Sequence, residues 1–434
     1  MKLDYNLDGY RYITDDTSDI DRETQFLLTA QNRKYFEAIE SKPSTLTPKE
    51  LITKWNLTEL KAVGVTGTNG KTTVTAAIYS FLLDLDEKVA LQGTRGFFAN
   101  EERVEAKSMT TPSVLETLYH MKIAKDKGCD YFIMEVSSHA IDQKRIEGIK
   151  FALKIHTNVT SDHLDYHKTV EEYRAVKSRF FADDVPKLLN KDDIKNITYN
   201  PIGAQSYGVD EPATFKVQAF SLTDGITAGI KHLSREASFD SPMVGLFNLF
   251  NLMASIGATT MLTGKDISEV CEVVQNFAGV AGRMEVVSTN PLVIVDFAHT
   301  DDGMVQVLDS MKDRELSVVF GAGGDRDRTK RARMGAVAST FAKKVYVTSD
   351  NPRSEDPAQI IKDILLGIKD QSHTRAMVDR AFAIQEALKE LKEGEALMIL
   401  GKGDEDTIEI QGKKIHFDDR EIVRALLAQS VESH

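Results

Sequence analysis

From about residue 59 onward the apolar positions of the chain follow two alternating patterns. One is short and continuously apolar, bounded by glycine-rich or polar turns, as expected of strands buried on both faces. Ala62-Val63-Gly64-Val65 has this form. So do Tyr131 to Val136, Ala152 to Thr157, Val293 to Phe297, Ser317 to Gly321, Lys344 to Thr348 and Ala396 to Leu400. The other pattern carries the spacing of helices, in Val74 to Leu83, Glu171 to Phe181, Asp363 to Leu366 and Ala381 to Leu388. Alternation of this kind predicts an α/β fold, with mostly parallel sheets covered by helices. The first sixty residues give few periodic signals, and Pro43 to Pro48 reads as a linker or turn. Small residues at Ala278 to Arg283 mark a boundary before a second strand–helix series.

Polar clusters follow the predicted strands, where open α/β sheets bind their ligands. They are Ser137-Ser138-His139, Asn158 to His163, Asp296 to Asp302, Gly323 to Asp327, Asp350 to Arg353 and Gly401 to Glu405. The most informative junction is Thr66-Gly67-Thr68-Asn69-Gly70-Lys71-Thr72-Thr73, between the first strand and a helix. A glycine-rich turn there aims backbone N–H groups and the positive helix end at an anion. Lys71 can reach terminal phosphates, and the Thr72 hydroxyl can ligate Mg²⁺. Val65 stands where the common phosphate-loop pattern has its first glycine. Binding of ATP or GTP is the expectation.

At 434 residues the chain exceeds one ordinary core, so two or three domains are expected. No run of eighteen apolar residues and no apolar leader at the N-terminus is present, so neither a membrane span nor a signal peptide is expected. Two cysteines, Cys129 and Cys271, suit a reducing cytoplasm and offer no metal cluster. A net charge of −12 argues against a nucleic-acid partner.

Taken together, the segments resemble the Mur ligases, ATP-dependent amide-forming enzymes of peptidoglycan synthesis. The resemblance runs from about residue 60 to 425. It rests on the phosphate loop, Met134 to His139, Thr157 to Asp165, Gly245 to Asn251, Gly282 to Glu285 and Val295 to Thr300, with Phe297 where tyrosine is commoner. It implies three domains: a reduced UDP-sugar-binding domain at 1–58, a central ATP-binding domain at 59–283, and a Rossmann-like amino-acid-binding domain at 284–434. Within the family the chain is most similar to the enzyme that joins a diamino acid to UDP-N-acetylmuramoyl-L-alanyl-D-glutamate. Asp350-Asn351-Pro352-Arg353 is similar to the form that selects meso-diaminopimelate. Diaminopimelate differs from lysine by one carboxylate, and a planar guanidinium pairs with that group bidentately.

The reaction implied by the resemblance transfers the ATP γ-phosphate to a carboxylate, and an amine then attacks the acyl phosphate. Like charges meet at the first step, so metal and basic groups must neutralise them. ATP is then expected to meet Gly67, Thr68, Asn69, Gly70, Lys71, Thr72, Thr73, Asn248, Asn251, Arg283 and Asp296. The UDP-sugar peptide would meet Thr110, Thr111, Ser137, Gln143 and Arg145. The diamino acid would meet Arg326, Asn351, Arg353, Gly401 and Glu405. Mg²⁺ would meet Thr72, Glu135, His163 and Lys177, the lysine as a carbamate. Lys71, Lys177 and His163 are the expected catalytic groups. Carbamylation requires the neutral amine, the minor form of a lysine with an ordinary pKa of about 10.4. By the residues alone, Glu135 could instead cap the next helix, Asn248 and Asn251 could form a capping arrangement, and Lys177 could be an ordinary helix-surface lysine. Asp325 and Asp327 could brace their basic neighbours. The Ile13 to Ser18 segment resembles the family's N-terminal opening, but no uridine contact is assigned. A cytoplasmic monomer acting on small molecules is expected. Alternatives are a lysine-adding relative, a folylpolyglutamate synthase-like ligase, and a regulatory phosphate-loop NTPase, for which no switch or motor segment is recognisable.

Overall fold

The computed structural model describes residues 1–106, 109–160, 164–223 and 225–432. The chain forms two compact units, one of Met1–Phe220, Thr227–Asp240 and Phe250–Phe277, the other of Ser221–Ile226, Ser241–Leu249 and Ala278–His434.

In the first unit an eleven-stranded sheet is built around Lys61–Thr66, which lies between Phe151–His156 and Tyr131–Glu135 and is parallel to both. The phosphate-loop strand is therefore central, and from Ala62 to Thr66 every residue is buried, so its continuous apolar run needs no alternation. Val89–Gly93 continues the sheet in parallel, and Gly96–Ala99 and Glu102–Glu105 close that edge as antiparallel strands. Helix Lys71–Asp84 follows the loop. Helix Leu246–Thr263 meets the length and composition of a membrane span, yet two-thirds of it (67%) is buried. Its Gly257 faces Leu188 and Phe215, and its Ser255 Oγ reaches the Val74 carbonyl at 3.5 Å, so it is a core helix.

The N-terminal residues hold more structure than their pattern predicts. Lys2–Leu7, Tyr10–Thr14, Thr24–Leu27 and Thr45–Leu46 form a four-stranded sheet. Its strands are short, and the first two bury a minority of their residues, which leaves little periodicity to detect. Tyr5, Ile13, Leu27 and Leu46 join one apolar core with Leu51, Trp55, Leu115 and Leu118. The segment Pro43 to Pro48, read as a linker, contains a strand and the start of helix Pro48–Lys54. Thr47 and Glu50 form a reciprocal capping box there.

The second unit centres on a six-stranded sheet ordered Glu285–Thr289, Leu292–Asp296, Ala396–Leu400, Leu316–Phe320, Lys344–Val347 and Thr374–Ala376. All neighbours are parallel except the first pair. Val318, Phe320, Met398 and Leu400 pack on one face, Val293, Val295, Val319 and Ile399 on the other, each within its own core. Arg380 and Asp419, both fully buried, form an ion pair at 2.7 Å whose spare donors are met by the Ser349 and Leu400 carbonyls. These bonds satisfy a guanidinium that burial would otherwise penalise.

Candidate active site

The phosphate loop is held from below by the segment after the neighbouring strand. Thr68 N–H donates to the Asn158 carbonyl at 2.7 Å, Asn69 N–H to Asn158 Oδ1 at 3.0 Å, and Thr157 Oγ1 to the Asn69 carbonyl at 2.6 Å. A Cβ at Gly67 would lie 1.8 Å from Thr157 Oγ1, so only glycine fits that floor. Gly70 caps the helix with φ of +84° and no capping side chain, and Asn251 Oδ1 packs against it. First-turn amides thus keep their anion-binding direction. Lys71 Nζ donates to the Gly67 and Thr68 carbonyls at 2.9 Å each, folded onto the loop it is expected to serve. Thr73 is buried in the same first turn.

Glu135 ends the neighbouring strand and is 1% exposed. Its carboxylate accepts from Thr72 Oγ1 at 3.1 Å, Thr94 N–H at 2.9 Å and Thr94 Oγ1 at 3.3 Å. It does not cap the next helix, because Ser137 Oγ takes the Ala140 N–H at 3.2 Å. Among the described residues Glu135 meets only neutral groups, an arrangement that suits a bound cation. Lys177 is not a surface lysine. It is 1% exposed, and its Nζ lies 2.8 Å from the Gly67 carbonyl and 4.8 Å from the Tyr173 ring. Tyr173 OH in turn lies 3.1 Å from Thr68 Oγ1. His163 lies outside the described residues.

A second group sits beside Glu135. Thr110 Oγ1 is 3.0 Å from Thr94 Oγ1, and Thr111 Oγ1 donates to the Glu135 carbonyl at 2.9 Å and accepts from Ser137 N–H at 3.0 Å. Arg145 donates to the Thr111 carbonyl at 2.9 Å and twice to Gln143 Oε1. The five residues expected to hold the sugar peptide therefore form one network. His167, which sequence reasoning did not single out, joins Ser138 Oγ through Nε2 at 2.9 Å and stands 5.2 Å from the Tyr173 ring.

In the second unit, Asp296 is buried at the end of its strand. Its oxygens accept from the Met284 and Ala298 amides, both at 2.7 Å. Burial raises its pKa, while Arg283 and the two amides pull the other way. Arg283 lies 4.2 Å from the Phe297 ring centroid, a cation–π contact that the phenylalanine retains without a hydroxyl. Asn248 Nδ2 donates back to the Val244 carbonyl at 2.9 Å within the first turn of its helix.

A further cluster gathers at the carboxyl ends of three strands of that unit. Asn351 Nδ2 donates to Glu405 Oε2 at 2.8 Å, and Lys402 Nζ reaches the same oxygen at 3.2 Å. Asn351 Oδ1 accepts from Glu409 N–H at 2.8 Å. Arg353 takes a left-handed φ of +51° and its Nη1 donates to the Gly324 carbonyl at 2.7 Å. Gly401, at φ +114°, lies against Asp350, where a Cβ would meet Oδ2 at 2.5 Å. Arg326 stands exposed on the loop that begins at Gly323. Asp325 accepts from Ser354 and Asp327 from Thr329, and basic neighbours (Arg353 for the first, Lys330 and Arg333 for the second) add to the lowering of their pKa values.

The Mur ligase middle domain matches residues 65–259, and the Mur ligase glutamate ligase domain matches residues 282–403. The chain belongs to the Mur ligase family. It is 51% identical over 431 residues, covering 99% of both chains, to a UDP-N-acetylmuramoyl-L-alanyl-D-glutamate--2,6-diaminopimelate ligase of Wolinella succinogenes. A solved structure of a ligase of that name superposes with a TM-score of 0.70 at 29% identity, covering 96% of this chain and 95% of that one. At 16% identity, a Mycobacterium tuberculosis folylpolyglutamate synthase shares the fold with a TM-score of 0.64, covering 82% of this chain and 91% of that one. Within this Mur ligase, Thr94, Tyr173, Lys402 and Glu409 touch expected site residues without having been singled out. Thr94 follows the strand Val89–Gly93, so the strand-end rule could have found it.

Proposed function

We propose that this Mur ligase uses ATP to join meso-diaminopimelate to UDP-N-acetylmuramoyl-L-alanyl-D-glutamate, a step of peptidoglycan precursor synthesis. The observation that carries this reading is the chain-long 51% identity to a ligase of that description. The residue roles are supported by the geometry.

The first-turn amides of helix Lys71–Asp84 and the Lys71 amine hold the ATP phosphates, the amine exchanging two loop carbonyls for phosphate oxygens. Gly67, Thr68, Asn69, Gly70, Thr72 and Thr73 shape that cradle. Asn248, Asn251, Arg283 and Asp296 receive the nucleoside. Thr110, Thr111, Ser137, Gln143 and Arg145 orient the sugar peptide so that its carboxylate meets the γ-phosphate. Thr72, Glu135 and Lys177 as a carbamate would hold Mg²⁺, with His163 as a further expected ligand. When bound, the metal neutralises charge as the carboxylate and phosphate approach. The amine of the diamino acid attacks the acyl phosphate, a C–N bond forms, and phosphate leaves. Glu405 meets an ammonium group, and Arg353, with Asn351 beside it fixing orientation and Arg326 and Gly401 as further contacts, meets the distal carboxylate. The enzyme acts as a cytoplasmic monomer on these small molecules.

The test compares ligation and phosphate release with meso-diaminopimelate, L-lysine and L-glutamate, with and without the UDP-dipeptide. Meso-diaminopimelate should be preferred over lysine by ~10³-fold or more in kcat/KM, since lysine has no second carboxylate to pair with the Arg353 guanidinium. Arg353→Ala should remove most of that preference while changing the residual lysine rate much less. Equal use of both amino acids would overturn the specificity, and phosphate release independent of the UDP-dipeptide would favour a regulatory NTPase.

A further inference from the structure

The turn after strand Lys187–Asn190 carries two polar side chains that the ligase chemistry leaves without a role. That strand runs parallel to Phe151–His156, with Leu189 opposite His156, so Asn190 emerges beside Thr157. Asn190 is 6% exposed. Its Oδ1 accepts from Asp192 N–H at 3.0 Å, a side-chain turn that fixes the amide and aims Nδ2 at the Thr157 carbonyl, 2.8 Å away. Three residues on, Asp193 Oδ2 accepts from Val159 N–H at 2.9 Å, with His156 Nε2 at 3.3 Å from the same oxygen. Asn196 Nδ2 donates to the other carboxylate oxygen at 2.7 Å.

These bonds fall on the peptide groups either side of Asn158. The Thr157 carbonyl belongs to the plane before it and the Val159 amide to the plane after it. Both planes are pinned, and with them the φ and ψ of Asn158. Asn158 in turn grips the phosphate loop three times: its carbonyl takes Thr68 N–H, its Oδ1 takes Asn69 N–H, and its Nδ2 donates to the Asn69 carbonyl at 3.2 Å. The Asn158–Val159 peptide is thus a relay, with the Asp193 carboxylate on its N–H and the Thr68 amide on its carbonyl. A charged acceptor polarises the peptide between them and strengthens that carbonyl. Thr157 has no slack either, because its Oγ1 holds the Asn69 carbonyl and fills the place of a Gly67 Cβ.

We propose that Asn190 and Asp193 are positioning residues for ATP, acting through Asn158 to keep Thr68 and Asn69 in their phosphate-binding arrangement; this rests on the phosphate-loop role proposed above. Their effect falls on nucleotide affinity rather than on attack by the amine, because the path of bonds ends on the loop. The residue between them marks the contrast. Asp192 turns its carboxylate the other way, onto the Val209, Asp210 and Glu211 amides, all at 2.9 Å. It holds the next loop of the sheet with as many bonds, and none of these leads to the phosphate loop.

The test measures the affinity of the full-length protein for a non-hydrolysable ATP analogue with Mg²⁺, beside KM for ATP and for the UDP-dipeptide and a melting curve. Asp193→Ser and Asn190→Ser should each weaken the analogue by ~10-fold or more and raise the ATP KM in step. The UDP-dipeptide KM at saturating ATP should stay near its wild-type value. Asp193→Asn keeps an oxygen for Val159 N–H and should recover most of the affinity. Asp192→Ser should lower Tm and leave the analogue's affinity unchanged. Asn190→Ser tests the same path from its other end should Asp193→Ser not fold. Wild-type affinity in the serine variants at 190 and 193, an equal loss in Asp192→Ser, or no recovery in Asp193→Asn would overturn the proposal. Lys71→Ala separates it from the role beneath it. Unchanged affinity there would sink the phosphate loop itself, whereas a loss there with none at 190 or 193 would sink the positioning role alone.

Discussion

The Lys177 amine lies 2.8 Å from the Gly67 carbonyl and its side chain is 1% exposed. A lysine so placed reaches the loop from a helix more than a hundred residues away in sequence, the position expected of one whose carbamate would hold Mg²⁺. Lys177→Ala is expected to be nearly inactive, and added short-chain carboxylates should restore part of the rate by supplying an oxygen anion. Intact-protein mass measurement under CO₂ should show one added CO₂ on the wild type and none on the variant; full activity of the variant would reject the role. The amphipathic pattern of residues 171 to 181 favoured an exposed lysine, because spacing within one helix cannot report which of its polar residues faces a neighbouring loop. Glu135 was ambiguous because a carboxylate at a strand end can cap the following helix or face the neighbouring loop, and the role of helix cap is taken by Ser137. Arg353 was legible from its position after a strand, but not its left-handed backbone, which arises where it bridges Ile410 of the ribbon Thr407–Ile410 and Lys413–His416.

At the scale of elements, the strands that position the site were readable because each is buried on both faces and leaves one unbroken apolar run. Their ends shift by a residue or so from the expected bounds, as with Leu292–Asp296 for the predicted Val293 to Phe297. What no periodicity encodes is how the loops after the strands are braced. Arg331, 1% exposed on helix Thr329–Phe341, donates to both Glu355 oxygens at 2.8 and 3.0 Å and to Asp363 Oδ2 at 2.9 Å, tying loop and helix together. The Arg331 hydrogen bond leads the effects that hold Glu355 at about 2, against an ordinary value of 4.5. A carboxylate depressed in the folded state contributes stability that is complete above its unfolded pKa and is lost as pH falls through the folded one. Thermal stability should therefore decline between pH 4.5 and about 2. Glu355→Gln should show a shallower decline over that window and a lower Tm at neutral pH. Parallel curves for the two proteins would remove Glu355 from the account.

At the scale of the molecule, the N-terminal sheet is part of the first unit's core rather than an appendage. Ile13, Leu27 and Leu46 alone are each 5% exposed or less, in one cluster with Leu115 and Leu118 from the helix beside the Thr110–Thr111 segment. Burial at ~1.5–3 kcal/mol per side chain makes these three comparable to the net ~5–15 kcal/mol that holds a domain folded. A chain starting at residue 47 should accordingly be insoluble or melt at least ~10 °C lower by scanning calorimetry. An unchanged melting profile would show the sheet to be dispensable.

Ser138 Oγ, His167, Tyr173 OH and Thr68 Oγ1 run in continuous contact from the sugar-peptide network to the phosphate loop. If occupancy at one end biases the other, thermodynamic linkage makes the bias reciprocal: whatever factor ATP lends to UDP-dipeptide affinity, the UDP-dipeptide lends to ATP. Titration calorimetry of each ligand with a non-hydrolysable partner present should return one common factor in both directions. Tyr173→Phe deletes the hydroxyl bridge and should bring that factor toward unity while leaving each ligand's solitary affinity nearly unchanged. A cell short of either substrate would thus hold its enzyme open to both, committing nucleotide when there is a peptide to extend.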